Sequence, residues 1–100
     1  MELAALVGTL VSPVIVVMDP VDIHASGRYA RFVVAFKGDD SRPGLRTAVV
    51  YRRLTPQVPA LGLTTGDAVS AIGPLHCTAL GGMAVEAETL SLADVPEVAR

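Results

Sequence analysis

The stretch Arg28-Tyr-Ala-Arg-Phe-Val-Val-Ala-Phe-Lys37 alternates with a period of two. Ala30, Phe32, Val34 and Phe36 fall on one side, and Tyr29, Arg31, Val33, Ala35 and Lys37 on the other, the pattern of a strand with one face buried. Gly38-Asp-Asp-Ser-Arg-Pro-Gly44 is a turn-forming connection, and Leu45-Arg-Thr-Ala-Val-Val-Tyr-Arg-Arg53 returns as the partner of a hairpin. In that second strand Arg46, Ala48, Val50 and Arg52 share one face, and Leu45, Thr47, Val49, Tyr51 and Arg53 the other.

Working outward, residues 3 to 10 are small and apolar, Ser12-Pro13 interrupts them, and residues 14 to 18 resume the run, which predicts a bent or bulged first strand. Residues 19 to 27, with Pro20 and Gly27, read as a loop. Residues 54 to 63 contain Pro56, Pro59 and Gly62, so a helix there is at most short and irregular. Thr64-Thr-Gly-Asp67 makes a turn, residues 68 to 75 a fourth strand ending near Gly73-Pro74, and residues 85 to about 92 a last strand after the reversal at Leu80-Gly-Gly-Met83. The expectation is an all-β, five-stranded OB-fold barrel with a short irregular helix between strands 3 and 4.

The chain has 100 residues, 51% of them apolar, enough for one core without staples. A single domain over residues 1 to 100 is expected, with its core at about residues 3 to 93. Aromatics make up only 4% and Trp is missing, so Val, Leu, Ala and Ile must fill the interior, a mix that suits strands. The lone Cys77 cannot form an internal disulfide, which fits a reducing, cytoplasmic setting. Residues 1 to 18 carry only Glu2 as a charge, but Gly8, Ser12 and Pro13 break the run. A leader starts with basic residues and a spanning helix takes about 20 apolar ones, so neither is expected.

The net charge of −2 conceals an uneven distribution. Arg28, Arg31, Lys37, Arg42, Arg46, Arg52 and Arg53 all lie in the two central strands and their turn, against Asp39 and Asp40 alone, a local net of +5. A basic stretch in an acidic chain points to a polyanion-binding face.

Three segments, taken in order, resemble the bacterial single-stranded DNA-binding proteins and their relatives, the small primosomal accessory OB proteins. They are Leu6-Val-Gly-Thr-Leu10, Arg31-Phe-Val-Val-Ala-Phe36 and Thr47-Ala-Val-Val-Tyr-Arg-Arg-Leu54, followed by Gly66-Asp67 ahead of a strand closed by Gly73-Pro-Leu75. The resemblance implies single-stranded DNA as ligand, RNA being the lesser candidate, held by bases stacking on aromatics while cations follow the phosphates. It places Tyr51 at a stacking position and Arg53 at a cationic one. Leu45 and Leu80 stand where the replicative members commonly carry Trp, which implies weaker binding, since a platform is worth roughly 1–3 kcal/mol.

Tyr29, Arg31, Lys37, Tyr51 and Arg53 are therefore the candidate nucleic-acid-binding residues. Catalysis has no comparable support: there is no glycine-rich phosphate loop, and Glu86 and Glu88 read as a solvated row. His24, His76 and Cys77 are too few and scattered for a four-ligand zinc site, so no metal or cofactor is expected. A competing reading is an OB domain used for protein interaction that has lost nucleic-acid binding. A mean hydropathy of +0.51 and only 18% charged residues also point to a homodimer or homotetramer formed through the uncharged first strand.

Overall fold

A computed structural model describes residues 2–38, 40–41, 43–58 and 62–92 of the chain. Its strands are β1 (Leu3–Leu10), β2 (Ile15–Met18), β3 (Arg28–Lys37), β4 (Leu45–Arg53), β5 (Ala68–Cys77), β6 (Met83–Glu86) and β7 (Thr89–Leu92). β1 and β2 are two halves of one bent strand: Thr9 and Leu10 pair with Ala35 and Val34 of β3, and Ile15 to Met18 pair with Arg31 to Arg28 further along it. The bend is fastened to β3, where the Val33 N–H donates to Ser12 Oγ (2.8 Å) and the Val11 N–H to the Val33 carbonyl (2.9 Å).

The barrel closes in the order β1, β3, β4, β6, β5 and back to β1, with β4 and β6 parallel. This is the five-stranded OB-fold topology. Even-numbered residues of β1, β3 and β4 and odd-numbered residues of β5 and β6 point inward. Leu6, Leu10, Phe32, Val34, Val50, Val69 and Val85 form the centre of the core.

Three expectations are corrected. The only helical turn among the described residues is a 3-10 turn at Val21–Ile23, between β2 and β3. Between β4 and β5, where the helix was expected, the chain makes a tight turn bridging Thr55 and Val58, and residues 59–61 lie outside the described ones. The last strand is also broken, with β6 and β7 separated at Ala87-Glu88.

The fourth strand does not stop at Gly73-Pro74 either. It runs on to Cys77, because β5 pairs with β7 over Val69–Ile72 and with β6 over Leu75–Cys77. Pro74, which has no N–H to donate, falls in the gap between the two partners, where a missing ladder bond costs little.

Candidate nucleic-acid interface

The outer face of β3 and β4 carries all five candidate residues, since odd positions of both strands point away from the core. Antiparallel register sets Tyr29 opposite Arg53 and Arg31 opposite Tyr51, so four of the five form one block. The two rings meet edge to face, with centroids 6.5 Å apart at 85°. Arg53 lies over the Tyr29 ring, its Cζ 4.9 Å from the centroid. Lys37 stands apart, six residues down β3 beside Leu45, roughly 20 Å from Arg31.

The tyrosines are not open platforms. Tyr29 is 0% exposed and Tyr51 3%, in a second small core with Ile23 and Ala84, flanked by Val17, Ala25 and Val49. The cover is the segment 19–27. Its 3-10 turn drops Ile23 onto the rings, and the Asp22 carboxylate accepts the Tyr51 hydroxyl at 2.7 Å. Arg31 Nε donates to the same phenol oxygen at 3.3 Å, and Arg53 Nη2 donates to the Ser26 carbonyl at 3.1 Å. The stacking role expected from the sequence thus needs rings that are covered in this conformation. A period-two pattern reports the face of a side chain, not what another segment lays over it.

The cations are likewise dispersed. Of the seven in the basic stretch, Arg31, Lys37 and Arg53 are on the outer face. Arg28, Arg46 and Arg52 belong to the inward rows, at the barrel ends, and Arg42 lies outside the described residues. Arg52 Nη1 donates to the Ala87 and Glu88 carbonyls, pinning the bend between β6 and β7. Two acids temper the outer face: Asp22, and Glu86, which stands opposite Tyr51 with its Oε1 3.4 Å from His76 Nε2.

Exposed leucines are what the sequence reading undervalued. Leu45 is 80% exposed and Leu80 99%. Both lie at the barrel end that carries Lys37 and Arg46, since Arg46 touches Met83 and Met83 closes the hairpin bearing Leu80. Alternation places Leu45 in the outward row of β4, whereas Leu80 lies in a turn, where no periodic pattern marks it.

Burial raises the Tyr51 phenol above its ordinary value and the bond to Asp22 adds to the rise, while Arg31 opposes it. Tyr29 is also raised by burial, against the pull of Arg53 and with a further push from Glu86. Its hydroxyl has no well-formed hydrogen bond among the described residues. Native tyrosines that hold their protons longer stabilise the fold fully below about pH 10. That contribution is lost as pH rises from there through the raised native values. An absorbance titration near the phenolate band should therefore show both tyrosines ionising later than free tyrosine, with a drop in melting temperature over the same range. Tyr51→Phe should cost about 1.5–3 kcal/mol, the worth of hydrogen bonds to charged groups, in a denaturant titration.

Among the described residues no group of three His, Cys, Asp or Glu side chains comes together, and no helix is long and apolar enough to cross a membrane.

No family model and no curated protein sequence matches the chain. Solved structures do. A small single-stranded DNA-binding protein from Streptomyces coelicolor superposes with a TM-score of 0.70 at 17% identity, covering 92% of both chains. The second single-stranded DNA-binding protein of Mycobacterium smegmatis gives 0.64 at 18% identity over 98% of this chain and 94% of its own. The dimeric N-terminal domain of the PriB protein from Thermoanaerobacter tencongensis gives 0.58 at 16% identity, covering 91% and 94%. At such identities the likeness establishes architecture, and the architecture is theirs: an OB-fold barrel closed by β1 and β5.

Proposed function

We propose that this protein binds single-stranded DNA, without catalysis, across the outer face of β3 and β4. The observation that carries this reading is the shared barrel. Structures named for single-stranded DNA binding match it over more than nine-tenths of the chain. Supporting it, Lys37 and Arg53 are exposed on that face, Arg31 sits half-buried between them, and Leu45 and Leu80 offer apolar contact at its far end. The binding is weaker than aromatic-rich members achieve, because leucines replace rings worth roughly 1–3 kcal/mol each. Replication, repair or recombination is the setting that such a ligand implies.

The test is fluorescence anisotropy with a labelled single strand over a salt series, with an RNA strand as competitor. Three phosphate contacts give a slope of about −2 in log K against log salt, at about −0.7 per contact. Lys37→Ala and Arg53→Ala should each make it shallower by about 0.7. Affinity that does not change with salt would overturn the electrostatic part. No binding of any oligonucleotide would favour the protein-interaction module, which the burial of both tyrosines otherwise supports.

We also infer a second copy of the chain as partner. β1 is paired with β5 along Leu3–Thr9, but its other edge meets β3 only at Thr9 and Leu10. Its outward row is uncharged, with Leu3 and Val7 each 64% exposed.

A further inference from the structure

Met18, the last residue of β2, pairs directly with Arg28, the first of β3. A two-residue turn suffices to join strands in that register. The chain instead spends residues 19–27 there, and they fold back over the outer face rather than extending into solvent. Ile23 is 3% exposed against the tyrosines while its neighbour Val21 is 80% exposed.

Asp19 and His24 sit at φ values of 50° and 51°, a left-handed backbone that costs energy outside glycine, and Gly27 at 105° completes the path. The segment is closed on itself at its base, where Asp19 N–H donates to the Gly27 carbonyl (2.8 Å) and Gly27 N–H to Asp19 Oδ1 (2.6 Å).

What the segment occupies is specific. Ile23 takes the apolar surface of the rings, Asp22 the Tyr51 hydroxyl, and the Ser26 carbonyl the Arg53 guanidinium. A stacked base and a phosphate would use the same groups, and Asp22 adds a negative charge that repels phosphate from Arg31.

We propose that residues 19–27 are an internal cover, competing with nucleic acid for the Tyr29–Tyr51 block so that a single strand engages the rings only by displacing it. This rests on the single-stranded DNA reading above. Binding strength then equals that of the open face reduced by the fraction of molecules in which the cover is off.

The chain has two tyrosines and no tryptophan, so its intrinsic emission reports on this block alone. The experiment compares the full chain with Asp22→Ala/Ile23→Ser and with a version in which residues 19–27 are replaced by Asn-Gly, using acrylamide and an oligothymidine strand. In the parent, the tyrosines should be shielded from acrylamide and become quenched by the oligonucleotide at saturation. In both variants they should be open to acrylamide, and the strand should bind about tenfold tighter, the closed-state penalty having been removed.

Binding by the variants alone also supports the cover. Parent binding with unchanged tyrosine emission, together with variants that bind no tighter, overturns the cover while leaving DNA binding intact. Absence of binding by parent and variants alike overturns the DNA reading and the cover with it. Should the point variant lose its β-sheet circular dichroism, the Asn-Gly hairpin carries the comparison.

Discussion

Gly73→Val is expected to leave a chain that cannot close its barrel. A Cβ at Gly73 would overlap the Glu86 carbonyl oxygen, and would lie 2.8 Å from the Glu86 carbonyl carbon and 2.9 Å from the Glu88 nitrogen. These are backbone atoms, so no rotamer change relieves the overlap. The bend they belong to is fixed from three sides: Ala87 N–H donates to the Tyr51 carbonyl at 2.8 Å, Glu88 N–H to the Ile72 carbonyl at 2.8 Å, and Arg52 reaches the Ala87 and Glu88 carbonyls.

Moving the bend breaks these bonds together and separates β5 from β6. The cost should exceed about 4 kcal/mol, the range reserved for steric or network failure, against a total stability of about 5–15 kcal/mol for a domain. Thermal melting by circular dichroism should show no cooperative transition. Gly62 has nothing within 4 Å of its would-be Cβ among the described residues, so Gly62→Ala serves as the control that folds normally. A Gly73→Val protein melting within a few degrees of the parent would refute this account of closure.

The second large effect expected is on assembly. Sedimentation equilibrium at micromolar concentration should give a mass at least twice the 10.4 kDa monomer, and Val7→Lys should return it to the monomer. Val7 is 64% exposed at the centre of the β1 outward row, opposite Ser70 of β5 and two residues along from Ala5, which faces Ile72. A two-fold interface uses the same patch on both copies, so one substitution brings two unpaired cations into it. Burying them, or holding the copies apart to keep them wet, should weaken association on the order of a hundredfold or more. Lysine also blunts an open strand edge. A parent that sediments as a monomer at every dilution would rule out the homo-oligomer, and a Val7→Lys protein that keeps the parent mass would move the interface away from β1.

Alternation in residues 28–37 and 45–53 identified the two central strands and which side of each meets the core. That was legible because side-chain direction in a strand is a local property with a period of two. The bend of the first strand was legible for a similar reason, since Ser12 and Pro13 interrupt the apolar run where β1 gives way to β2. The same rule already separated Arg46 and Arg52 from Arg53. Counting all seven cations as one basic face set that aside, and the structure restores it by placing Arg28, Arg46 and Arg52 at the barrel ends.

Three features depended on contacts between segments distant in the chain. Gly73 and Gly8 read as ordinary strand glycines, yet their bareness is required only because Glu86 and Ala35 pass over them when the barrel closes. The continuation of β5 past Pro74 depended on a change of partner that no window of β5 contains. The state of Tyr29 and Tyr51 was decided by residues 19–27 folding back over them. The sequence by itself determined which residues point out of the barrel, because that follows from neighbours along one strand. Only the tertiary structure decided which of those outward residues meet solvent, because coverage is a property of what another part of the chain does in space.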